Sequence, residues 1–216
     1  MTPAPAALRL PSHEGRLLIA HLERLCSWDP QALVRVVARA RALGVYGTPP
    51  MEVMSFVALP LVDPVAEEID VTAYARDVRA GIEESASAVA LTLPEPIVGD
   101  SALAVLPPSD GWQLPIAGVS GDLIPLVDES VAEFRRRSAE GADAQIIAQE
   151  IWDRPGFGGL PMRVLHAARR LGFLSDDASR VSAVTCTGWK RLTTVRGQVF
   201  LRTTPPVSRA SLSVVK

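Results

Sequence analysis

The residues best suited to chemistry in this chain are arginines. Between positions 160 and 172, Arg163, His166 and Arg170 recur at i, i+3 and i+7, with Arg169 beside them, so a helix there would carry them on one side. A guanidinium presents paired donors that fit a phosphate or the edge of a guanine. Further along, Lys190, Arg191, Arg196 and Arg202 fall in segments that read as strands, and Arg196 stands beside Gly197 at a turn, where it could reach a minor groove or a phosphate. Trp189, before Lys190-Arg191, reads first as a packing anchor, with stacking on a base or a partner as the alternative.

These cations matter because the charge of the chain is divided. Residues 1–151 hold 11 Arg and no Lys against 21 carboxylates, a net of −10, whereas residues 152–216 hold 9 Arg and 2 Lys against 3 Asp, a net of +8. The formal net charge of −2 hides this division. An acidic first part repels nucleic acid and a basic second part attracts it, which would orient an encounter. The same +8 also suits an acidic protein partner, or the acidic part of the chain itself.

Catalytic patterns are not found. His13-Glu14 and His21 lack the HExxH spacing, and three histidines in all give little from which to build a zinc site. Cys26 falls on an apolar helical stripe and Cys186 in an expected strand, so both read as small apolar residues, and no CxxC occurs. The glycines of 118–122 and of 156–159 match neither GxGxxG nor a P-loop and read as tight turns. Glu67, Glu68 and Asp70 are clustered, but nothing sets them across a pocket as an acid and base. No metal and no cofactor is expected. Trp28, Trp112 and Trp152 read as packing anchors.

The elements that must position the cations follow from periodicity and punctuation. With 48% hydrophobic residues, 216 residues can bury a real core, and 5% aromatics leave most of it to aliphatic side chains. Residues 1–11 form a Pro/Ala arm, and Leu18, Leu22 and Leu25 mark a helix over 13–27, with Ser12 able to cap it. In 32–62, apolar residues alternate with Arg35, Arg39 and Arg41, which favours strands; Leu33, Val36, Val37, Ala40 and Leu43 keep a helix open as the alternative. A helix is expected over 71–85. Residues 87–126 read as an ordered, Pro- and Gly-rich connector with Trp112 anchored to a core.

Helices are then expected at 128–139, capped by Asp128 or Ser130, at 142–153 and at 160–172, where Pro161 suits a first helical turn. Two strands follow, Val181–Thr194 and Gln198–Thr203, around Val195-Arg196-Gly197. Three helices followed by a β-ribbon, with the apolar step Leu171-Gly172-Phe173-Leu174, resemble the winged helix-turn-helix superfamily over residues 127–204. The glycine-rich turn Pro155–Gly159 is longer than that family's usual three or four residues. The whole chain also resembles uncharacterised conserved proteins of high-GC actinobacteria, which implies no activity and no site.

The expected fold is therefore α+β. A helix and small antiparallel sheet occupy 12–86, a connector 87–126, a winged-helix-like unit 127–204 and a tail 205–216. The expected role is a non-catalytic interaction protein whose basic face, built from Arg163, His166, Arg169, Arg170, Lys190, Arg191, Arg196 and Arg202, meets a protein or a nucleic acid. The competing expectation is an enzyme or small-molecule binder with a pocket between the two parts, beside Trp112. Apolar stretches stop short of the ~20 residues of a membrane span, and residues 1–11 lack a cationic and apolar leader, so a bacterial cytoplasmic protein with no membrane partner is expected.

Overall fold

A computed structural model describes residues 7–99, 101–141 and 143–203. The alternation over 32–62 does form strands: β2 at Leu33–Arg39, β3 at Ala42–Gly47 and β4 at Val53–Pro60 make an antiparallel meander. Its buried members Val34, Val36, Ala38, Leu43 and Val45 all point to one side. Ahead of the meander lie β1 (Leu8–Pro11) and α1 (Ser12–Trp28). Leu18, Leu22 and Leu25 of α1 are fully buried in the same core as those valines. Ser12 makes no side-chain cap.

The helix expected over 71–85 is mostly something else. Ile69–Tyr74 forms β5, because its alternation matches β2 and all six residues pair with that strand. Only Ala75–Ala80 is helical, as α2. The short strands β6 (Ile82–Glu84) and β7 (Ala88–Leu91) then pair with β1 in a small sheet of order β1-β7-β6.

The winged-helix expectation does not hold. A strand, β8 (Gln113–Val119), stands where only connector was read. It feeds directly into α3 (Ser120–Ala139), so Asp128 and Ser130 lie inside a helix rather than at its start, and Ser130 Oγ donates to the Leu126 carbonyl. Next come α4 (Ala144–Trp152), capped by Asp143, a single 3-10 turn at Phe157–Gly159, and α5 (Met162–Arg170). The final segment makes three strands instead of a two-stranded ribbon: β9 (Arg180–Cys186), β10 (Trp189–Thr193) and β11 (Gln198–Arg202). Gly188, at φ +78°, takes the left-handed turn that splits the expected long strand.

These strands do not end in a free ribbon either. β9 pairs with β8, and β11 pairs with β4, giving one eight-stranded antiparallel sheet of order β5-β2-β3-β4-β11-β10-β9-β8. β4 and β11 are each the last strand of a meander and run antiparallel, so the two halves of the sheet meet about a local two-fold relation. Helices cover one face, where Val164, Leu165 and Ala168 of α5 join the main core. On the other face Met54, Trp189 and Phe200 form a second cluster across the β4–β11 seam, closed by Leu103 of the connector. Arg35 holds that connector by donating to the Leu103 carbonyl at 2.8 Å. The α+β class thus stands, in an arrangement unlike a winged helix. Among the described residues no helix is long and apolar enough to cross a membrane.

Candidate functional site

The second half differs from the first by having three helices, α3, α4 and α5, between its opening strand and its meander. α3 and α4 form a hairpin, stapled by Arg154 to Glu133 at 2.7 Å and Arg137 to Glu150 at 2.6 Å. The Arg154 hydrogen bond, helped by Arg137, pulls the Glu133 carboxyl down to about 2. Between this hairpin, α5 and the end of α1 lies an open groove of about 770 Å³.

Helical spacing builds the groove. Val131, Phe134 and Arg135 come from one stripe of α3, and Gln145, Ala148, Gln149 and Trp152 from one stripe of α4. Trp28, at the end of α1, and His166, on α5, complete an aromatic floor. His166 stacks on Trp152 with ring centres 4.5 Å apart and meets the edge of Trp28 at 5.6 Å. Burial, helped by the nearby Arg170 charge, pushes the His166 imidazole down to about 4, so it is neutral at pH 7. Its Nδ1 is buried without a hydrogen-bond partner.

The rim is set by the turn between β3 and β4. Met51 and Glu52, at φ +79° and +57°, are consecutive non-glycine residues in the left-handed region, a conformation costing about 1–3 kcal/mol each. This turn brings Glu52 to Arg163, 111 residues away, at 3.1 Å. Arg163 also pairs with Asp153, at the end of α4, and its side chain is only 18% exposed.

The eight residues singled out from the sequence do not form one face. Arg163 and His166 line the groove, with Arg163 closed off by two carboxylates. Arg169 lies 3.7 Å from Asp128 and 3.9 Å from Asp176. Arg170 covers the Trp28 ring at 5.0 Å. Lys190 and Arg191 are neighbours on a strand and therefore point to opposite faces of the sheet. Lys190 Nζ donates to the Gly159 carbonyl at 2.6 Å, on the helix side. Arg191 lies 4.2 Å over the Trp112 ring on the other side, and burial lowers its pKa. Arg202 sits at 5.7 Å over Trp189, and Arg196 is exposed in the β10–β11 turn.

Sequence reasoning treated Trp28 and Trp152 as packing anchors and passed over Val131, Phe134 and Gln149. The available signal was the pair of helical stripes on α3 and α4; Trp28 and Trp152 do pack against the main core, as Val131 does, and they line the groove as well. Trp112 does pack on a core, against Phe200 at 5.8 Å, but it lies on the sheet face away from this groove. Among the described residues, no three His, Cys, Asp or Glu side chains converge as a metal site would require.

Two family models match the chain in tandem: Domain of unknown function (DUF8010) over residues 4–103 and Domain of unknown function (DUF8185) over residues 107–206. The break between them falls in the connector that closes the second cluster. A search of curated proteins finds no match. Among solved structures the chain is similar to the DNA polymerase III subunit beta of Pseudomonas aeruginosa, at 15% identity and TM-score 0.52, over 98% of this chain and 68% of that one. It is also similar to the pol III beta of Caulobacter crescentus, at 12% identity and TM-score 0.57, over 91% of this chain and 65% of that one. It thus spans about two thirds of the length of either protein. These likenesses overturn the winged-helix resemblance and leave the chain with the fold of bacterial DNA polymerase sliding clamps, built from two tandem matched segments.

Proposed function

We propose that this chain is a non-catalytic interaction protein that binds a protein partner through the helical side of its second half. The observation that carries the reading is the state of the α5 cations. Arg163 and Arg169 are paired with carboxylates of the same chain, whereas the aromatic groove beside them is open. Positive charge already neutralised adds little to phosphate binding, since that binding scales with the number of free cations that displace counterions. An open groove lined by aromatic and aliphatic side chains suits the anchor residues of another protein.

Nucleic-acid contact is the second reading. It is favoured by Arg170, Arg196 and Arg202, which have no carboxylate within 4.0 Å among the described residues, and by the likeness in fold to DNA polymerase sliding clamps. One comparison separates the two. The full chain is titrated with duplex DNA at low salt and, in parallel, cross-linked in its native cell and captured. The protein reading expects a specific captured protein and DNA binding that, carried up to physiological salt, is no tighter than about 10⁻⁴ M. Tight, salt-dependent DNA binding that falls when Arg170, Arg196 and Arg202 are changed together to Ala would replace it.

A further inference from the structure

We infer that the groove between α3, α4 and α5 receives an amphipathic α-helix of a partner protein, apolar toward Trp152 and Phe134, with a basic flank toward Glu52 and Asp153 and an acidic flank toward Arg135. This rests on the protein-partner reading above and specifies the kind of segment that binds.

The walls argue for a helix. The long sides of the groove are α3, α4 and α5, and the main-chain groups of a helix interior already bond within the helix. They offer no ladder to an extended segment, whose buried N–H and C=O groups would each lose about 1–3 kcal/mol of hydration without a partner. A helix brings its backbone bonds with it, so only its side chains need a surface. That surface is present in helical register: Gln145, Ala148, Gln149 and Trp152 cover two turns, about 10 Å at 1.5 Å per residue. An occupant with apolar residues at i, i+3, i+4 and i+7 matches this length.

Charge sets the flanks. Glu52 and Asp153 share the single guanidinium of Arg163, which leaves that side with one carboxylate in excess, and the Glu52 side chain is 89% exposed. On the α3 side, Arg136 and Arg137 are paired with glutamates, whereas Arg135 has no carboxylate within 4.0 Å among the described residues. Opposite charges on the two flanks of the incoming helix satisfy both and fix its direction.

The test uses the full chain and a fluorescent peptide of about four helical turns. The peptide carries leucines at i, i+3, i+4 and i+7, lysines along one flank and glutamates along the other. Two controls replace the central residue by proline or the leucines by serine. Saturable binding is expected, weakened by about tenfold or more in both controls and in Gln149→Trp, a change at an exposed position that fills the groove. Arg135→Glu is expected to weaken the peptide by about threefold and to be rescued when the glutamates become lysines. No binding, equal binding of the proline control, or indifference to Gln149→Trp overturns the inference. So does a tenfold or greater gain on removing residues 204–216, which would assign the groove to the chain's own C-terminal segment. If the cross-linked partner is captured equally well by Gln149→Trp, the protein-partner reading survives and this one falls.

Discussion

The two halves of the chain start from a similar plan and diverge most in their helices. Each has an opening strand, a helical layer and a three-stranded meander whose last strand lies at the seam, although β1 joins the small sheet and β8 the large one. In the first half one helix, α1, fills the space over the meander, with Leu18, Leu22 and Leu25 buried. In the second half three helices divide that space. α5 packs on the sheet, α3 joins the same core through Leu123, Ile124 and Val127, and the far end of α3 together with α4 bounds a groove. The contrast teaches that the scaffold is held by the sheet and its two cores, whereas the binding feature is an elaboration of one half. Changes at the seam should therefore unfold the chain, and changes on the groove side of the α3–α4 hairpin should leave it folded.

The sharpest way to break this contrast is Val199→Asp. Val199 is fully buried on β11 opposite Ser55 of β4, within the main core, so a carboxylate there is stripped of water. We expect a loss above about 4 kcal/mol, read as the absence of a cooperative thermal transition. A folded variant would mean that the seam is not the support of both halves. Next is Leu103→Ala, which empties the lid of the second cluster; about 2–4 kcal/mol should be lost in urea denaturation. A change below about 0.5 kcal/mol would make the connector a passive link.

Acid sharpens the comparison more gently. His21 is buried where α1 meets the seam, 3.4 Å from Ser55 Oγ and stacked on Phe173 of the second half at 5.5 Å. Burial, with the Arg24 charge adding to it, pushes its pKa from 6.5 to about 3. The unfolded chain takes up this proton near pH 6.5 and the folded chain does not, so stability falls as pH drops below 6.5 and is unaffected above it. The slope from His21 alone approaches about 1.4 kcal/mol per pH unit. His166, pushed down to about 4, acts in the same direction. Urea midpoints between about pH 7 and pH 5 measure this, and His21→Gln should flatten the fall. The smallest effect belongs to the hairpin staple: Glu133→Gln weakens the pairs to Arg154 and Arg137 at the surface, and about 0.5–1 kcal/mol is expected from thermal melts.

Local order was legible in the sequence where periodicity was clean. The alternation from Leu33 to Arg41 marked β2 within a region read as strands, and the leucine spacing marked α1. The long-range pairing was not legible. Nothing in Val53–Pro60 or Gln198–Arg202 says that each is the other's neighbour, and the winged-helix resemblance arose from reading β9–β11 without β4. β8 was hidden because Pro115 and Gly118 in an edge strand look like connector residues. The charge division was real as a count but misleading as a surface. Arg163 finds Glu52 across 111 residues, and Arg169 finds Asp128 far back on α3, partners that only the fold brings near. The groove escaped notice because its two stripes lie on different helices and neither is apolar throughout.

The pairing of β4 with β11 bears on how this polypeptide can be dissected. The two matched families suggest a cut between residues 103 and 107, yet such a cut would leave an open strand edge on each fragment and divide the cluster, with Met54 and Leu103 on one fragment and Trp189 and Phe200 on the other. Separately produced fragments should be sticky and poorly soluble, whereas fragments made together should find each other and restore one particle. The two matched segments thus share one sheet and one apolar cluster.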